Sequence, residues 1–150
     1  DAVFVGDITD SRIEKVRVFE GVTYINDSKG TNVDSTIKAV QSMKAPTVIL
    51  LGGYDKHCDF TPMVKEMLAS SFIREAVLIG ATADQIEKTC LDNGYTAVHR
   101  ADTLEDAVAR CRSLAAEGWN VLLSPACASF DAYPNFVARG KHFKELVEKL

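Results

Sequence analysis

The chain has no C-x-x-C pair, and its four cysteines, Cys58, Cys90, Cys111 and Cys127, stand far apart with no histidine at metal-ligand spacing. That argues against a zinc site or a disulfide framework and for free, buried thiols. No apolar run approaches the roughly 18 residues of a membrane span. The opening Asp1-Ala2-Val3-Phe4 lacks the basic start of a secretory signal. The expected compartment is the cytoplasm, and no membrane partner is expected. Nor is there a basic excess: 17 Lys and Arg stand against 21 Asp and Glu, for a net charge of -4 and a pI near 5.4. A protein that grips a phosphate backbone normally shows a basic face, so nucleic acid is not expected as a partner. Internal repeats and low-complexity tracts are also missing.

One absence weighs more than the rest. The sequence contains neither G-x-x-x-x-G-K-[ST] nor G-x-G-x-x-G, so nothing in it cradles a triphosphate unaided. If ATP is used, most of its site belongs to another domain. No G-x-S-x-G surrounds any serine, so a nucleophilic elbow is not expected either.

What is present suits one globular domain. Of 150 residues, 47% are hydrophobic and 25% charged, and a domain of this size buries roughly 70% of the surface of its unfolded chain. Residues 1–11 carry no pattern and read as the tail of a linker from a preceding domain or as an arbitrary edge. Residues 12–150 form the domain. Lys15-Val16-Arg17-Val18-Phe19 and Val22-Thr23-Tyr24-Ile25 alternate as strands do about Glu20-Gly21, predicting a hairpin and an antiparallel edge. Val33, Ile37, Val40 and Met43 recur at helical spacing behind Asn32, a suitable N-cap. Pro46 to Leu51 is an unbroken apolar run ending in Gly52-Gly53, as in a central strand buried on both faces.

Alternation then continues. A helix is expected from Thr61-Pro62 to Ala69, a strand over Ala76–Gly80, a helix from Asp84 to Leu91 and a short strand over Thr96–His99. A helix opening at Asp102-Thr103, with Leu104, Val108, Cys111 and Leu114 on one stripe, leads to a strand over Asn120–Ser124. A last helix covers Pro134 to Lys149, with Phe136, Phe143, Leu146 and Val147 apolar. The fold class is therefore α/β, a Rossmann-like three-layer domain with a mostly parallel sheet, helices on both faces and an antiparallel edge strand near the N-terminus.

In such sheets the loops after the carboxyl ends of strands share one rim, where ligands bind. Three of those loops are polar, Asn26–Asn32, Gly52–Asp59 and Ser124–Asp131, while those after Gly80 and His99 look bland. One composite site follows. Each residue keeps two readings. Asn26 and Asp27 serve either as turn residues or, for Asp27, as an acceptor for a ribose or a guide for Lys29, which would face a phosphate. Lys56 and His57 form either a solvated loop tip or, through Lys56, a partner for a ligand carboxylate, with Gly52-Gly53 letting backbone approach that ligand. Ser124 and Ser129 are loop hydroxyls or ligand donors, and Phe136 is core or pocket wall. His57, His99 and His142 fall on unrelated elements.

The strings Tyr24-Ile25-Asn26-Asp27-Ser28-Lys29-Gly30-Thr31-Asn32, Leu51-Gly52-Gly53-Tyr54-Asp55-Lys56 and Ser124-Pro125-Ala126-Cys127-Ala128-Ser129-Phe130-Asp131 closely resemble the C-terminal domain of the Mur ligases. Among them they resemble the branch that adds D-glutamate to UDP-N-acetylmuramoyl-L-alanine in peptidoglycan synthesis. The resemblance implies an ATP-dependent, amide-forming ligase in which ATP phosphorylates a carboxylate and the D-glutamate amine attacks the acyl phosphate. It implies that Thr31, Lys56, Ser129, Phe130 and Phe136 hold D-glutamate, and that Arg12, Asp27 and Lys29 are lent to the nucleotide. Lys29 is the catalytic cation on that account. ATP and magnesium would be held mostly by a central domain outside this chain, UDP-N-acetylmuramoyl-L-alanine would be held by the other domains, and the enzyme would be a monomer whose isolated C-terminal domain is inactive. Two positions depart from the pattern: Ser11 stands where a histidine is usual before the arginine, and Phe130 where a leucine is common. A stand-alone α/β module that binds a small anion or nucleotide without chemistry is the alternative.

Overall fold

The computed structural model describes residues 13–54, 58–129 and 132–150. Six strands and five helices alternate there: β1 (Glu14–Phe19), β2 (Val22–Asn26), α1 (Val33–Ser42), β3 (Thr47–Leu51), α2 (Thr61–Ala69), β4 (Ile73–Leu78), α3 (Ala83–Asp92), β5 (Val98–Arg100), α4 (Leu104–Leu114), β6 (Asn120–Leu123) and α5 (Phe136–Glu148). The sheet order is β1-β2-β6-β3-β4-β5. β1 is the antiparallel edge expected from the hairpin, and the other pairings are parallel. Its turn is two residues long, with Glu20 and Gly21 both at positive φ (54° and 79°), the backbone that lets twisted strands join directly.

Alternation along the strands splits the core in two. Ile49 and Leu51 of β3, with Ile25 and Leu122, face Ala39, Val40, Met63, Met67 and Ile86 from α1, α2 and α3. Val48 and Leu50, with Tyr24, Val121 and Leu123, face Val108, Cys111, Phe143 and Val147 from α4 and α5. β3 is buried at every residue, as a central strand with both faces covered must be.

Asn32 caps α1, its Oδ1 accepting from the Ser35 N–H at 2.8 Å. Several boundaries differ from expectation, chiefly those of β4, β5 and the start of α5. β4 runs from Ile73 to Leu78 and so takes in the charged pair Arg74-Glu75, Glu75 reaching His99 of β5 at 2.8 Å. β5 covers Val98–Arg100, and α5 begins at Phe136 with Asn135 as its cap. All four cysteines are free thiols, three of them buried.

Candidate functional site

β2, β6 and β3 lie side by side and run the same way, so the loops leaving their carboxyl ends adjoin on one rim. These are the three polar loops. The one after β6 sits between the others and bonds to both: the Ala126 N–H donates to the Gly30 carbonyl at 2.8 Å, the Gly52 N–H to Pro125 at 2.9 Å, and the Tyr54 N–H to Ala128 at 2.8 Å. Ala126 holds the left-handed backbone (φ 66°) to do so, a conformation that costs an L-residue about 1 kcal/mol.

Side chains complete the joint. Asp27 has no exposed surface and accepts from Ser124 Oγ at 2.8 Å, while Thr36 Oγ1 on α1 lies 3.1 Å from the same hydroxyl. A Cβ on Gly30 would fall 2.7 Å from Asp27 Oδ2, so the loop closes this tightly only with glycine there. The Asp27 carboxylate fastens the loop and Lys29 stands out from it, exposed.

Gly52-Gly53 sits where neighbouring backbone comes very close. Added Cβ atoms would lie 1.9 Å from the Ile79 carbonyl oxygen and 2.4 Å from that of Ala128, so the glycines make room for neighbouring loops. The loop after β4 is less bland than its sequence suggests, since Thr82 Oγ1 accepts from the Gly53 N–H at 3.0 Å and lies 3.4 Å from Cys127 Sγ. Asp59, before α2, has its carboxyl pKa held below the ordinary value, chiefly by the Thr61 N–H that donates to it at 2.9 Å and then by the Thr61 hydroxyl.

Lys29 and Phe136 do come together. They line a cleft of about 240 Å³ with Glu14, Asn26, Lys141 and Lys144, between the end of β2 and the start of α5. Three lysines face one carboxylate there, and Glu14 is paired with Lys144 at 3.0 Å, so the cleft favours an anion. Thr31 is half-buried on the same loop, its N–H donating to the Lys29 carbonyl at 2.8 Å. Ser129 is 2% exposed, and its Oγ has no hydrogen-bond partner among the described residues. Such an orphan hydroxyl fits a group held ready for a ligand. Ser124 is fully engaged and structural. Arg12, Lys56 and Phe130 lie outside the described residues, as does any distance between Lys56 and Thr31.

Sequence reading missed Arg139, which is 1% exposed. Its Nε donates to Ser28 Oγ at 2.9 Å, its Nη2 to the Ser28 carbonyl at 2.8 Å and its Nη1 to the Cys127 carbonyl at 3.0 Å. One guanidinium thus ties the Lys29 loop and the Ser129 loop to α5. Its position was the available signal: Arg139 stands between Phe136 and Phe143 at helical spacing, on the stripe that faces inward.

Residues 11–127 match the family model described as Mur ligase, glutamate ligase domain. The chain belongs to that family. It is 49% identical over 139 residues to the UDP-N-acetylmuramoylalanine--D-glutamate ligase of Alkaliphilus metalliredigens, covering 93% of this chain and 30% of that protein. To the ligase of the same name from Caldanaerobacter subterraneus it is 46% identical over 143 residues, covering 94% and 31%. The chain therefore spans about 30% of the length of these curated relatives. In fold, this Mur ligase domain is similar to a UDP-N-acetylmuramoyl-L-alanyl-D-glutamate--2,6-diaminopimelate ligase, with a TM-score of 0.61 at 13% identity over 93% of this chain and 32% of that one. It is likewise similar to the MurF ligase from Thermotoga maritima in complex with ADP, with a TM-score of 0.52 at 13% identity over 89% and 30% of the two chains.

Proposed function

We propose that this Mur ligase domain binds the incoming amino acid, D-glutamate, in the cytoplasmic ATP-dependent ligase that joins it to UDP-N-acetylmuramoyl-L-alanine. The observation that carries the reading is the 49% identity, across 93% of the chain, to a ligase bearing that name. The composite rim supports it. In this account Thr31, Ser129 and Phe136 surround the amino acid, Lys56 and Phe130 complete its pocket, and Lys56 pairs with a carboxylate of D-glutamate. Lys29 faces the nucleotide phosphates from the anion-favouring cleft, with Asp27 setting its loop and Arg12 beside it. When bound, ATP supplies the phosphoryl group that activates the carboxylate of the UDP-linked substrate. Magnesium would be held mainly by residues of the central domain. The domain's own contribution is to present the D-glutamate amine to the acyl phosphate, and the full-length enzyme acts as a monomer.

A charge-assisted hydrogen bond is worth about 1.5 to 3 kcal/mol. Lys56→Ala in the full-length enzyme is therefore expected to lower kcat/KM for D-glutamate by roughly 10- to 150-fold. A loss below about twofold would remove Lys56 from the pocket. Assaying a panel of amino acids with the same enzyme tests the substrate, because a preference for L-alanine, a diamino acid or a dipeptide over D-glutamate would overturn the assignment.

A further inference from the structure

We propose that Tyr133 and His142 form a clamp that holds the Ser129 loop in its substrate-receiving conformation, which makes both of them positioning residues for the ligase reaction. This rests on the reading of Ser129 as a D-glutamate ligand. It adds a pair that the site motifs do not contain.

Ser129 Oγ can wait without a partner only if the backbone around it is fixed by something else. Its carbonyl takes two N–H donors, from Ala132 at 3.1 Å and Tyr133 at 2.7 Å, so the turn closes on Tyr133. The residues flanking that tyrosine, Ala132, Pro134 and Asn135, are exposed, and packing gives the stretch little hold. The Tyr133 side chain supplies it. Its Oη lies 2.6 Å from Nδ1 of His142, and the two rings are tilted by 54° with centroids 5.7 Å apart. When the imidazole is neutral with its proton on Nε2, the phenol donates to the bare Nδ1.

His142 is a firm anchor because α5 is firm. Phe143 and Val147 are fully buried, and Arg139 fastens the helix to Ser28 and Cys127. Phe136, Arg139 and His142 recur every three residues, so one side of α5 carries the pocket wall, the loop staple and the clamp. Tyr133 and His142 also line a cavity of about 380 Å³ with Gly53 and Thr103, and neither lines the Lys29 cleft. The direct link from the pair to the Ser129 backbone is the Tyr133 N–H on the Ser129 carbonyl.

The test uses the full-length enzyme and steady-state kinetics with each substrate varied. Tyr133→Phe and His142→Ala each lose one neutral hydrogen bond and should raise KM for D-glutamate about 2- to 10-fold. KM for ATP and for the UDP-linked substrate should stay within about 1.5-fold of wild type. His142→Asn keeps an acceptor at the place of Nδ1 and should restore most of the loss. The double variant should be no worse than either single one, since both remove the same contact. Equal rises in all three KM values, additive single losses or failure of the asparagine to rescue would each overturn the clamp. Ser129→Ala separates the two levels of inference. If it leaves KM for D-glutamate unchanged, the substrate reading falls and the clamp with it. If it raises that KM while Tyr133→Phe does not, the clamp alone falls.

Discussion

Arg139 heads the side chains that the fold buries completely. A buried guanidinium is tolerable only when its donors are used, and here three of them meet oxygens at 2.8 to 3.0 Å. Arg139→Ala would leave the Ser28 and Cys127 carbonyls short of a donor and open a void. The expected loss of stability is about 3 kcal/mol, seen as a lower urea midpoint at unchanged slope. A loss below about 1 kcal/mol would show that water replaces the guanidinium. The contrast with Lys29 explains what was legible at this scale. A lysine in a polar loop announces itself by composition, and it does face a cleft. An arginine in a helix reads as surface until its angular position is counted, and the partners that make its burial affordable lie 12 and 111 residues away. Thr82 was missed for a similar reason, because its partners Gly53 and Cys127 come from other loops.

The elements were legible wherever periodicity was undisturbed. β3 and the buried stripe of α4 follow directly from their apolar spacing, whereas the start of β4 was hidden because Arg74 and Glu75 interrupt the apolar run. That corner has a pH dependence of its own. Cys90, near the end of α3, is buried and has its thiol pKa pushed up to about 11 by desolvation and then by Glu87, from an ordinary 9.0. Tyr95 beside it donates to the Ile73 carbonyl at 3.2 Å and is likewise raised, chiefly by burial. Both folded-state values lie above the unfolded ones, so between the two the folded chain holds protons that the unfolded chain has released. Stability is thus fully present below pH 9 and falls as pH rises toward 11. Cys90 alone should contribute a loss of about 1 kcal/mol by pH 10, with Tyr95 acting in the same direction. Urea midpoints measured from pH 7 upward check this, and a midpoint that stays flat through pH 10 would contradict the burial argument.

For the molecule as a whole, the two cores and the rim divide the labour: α1 to α3 cover one face of the sheet, α4 and α5 the other, and the polar loops gather at the edge where the strands end. The rim carries cations and hydroxyls but no phosphate loop, so this chain alone is expected to release no phosphate from ATP when given D-glutamate and the UDP-linked substrate. Phosphate release above the buffer blank would show that the chain needs no help with the triphosphate. The full-length enzyme should release it in step with amide formation. The strand order has a further consequence. β6 is made after the other five strands described here, yet it occupies the slot between β2 and β3. Until residue 123 has been made, β2 and β3 have no β6 to join them, and the Lys29 loop has no Ala126 N–H or Ser124 hydroxyl to close against. Closure of the three-loop rim is therefore a late event in synthesis, and a nascent chain that stalls before β6 leaves the facing edges of β2 and β3 unpaired and the rim unjoined.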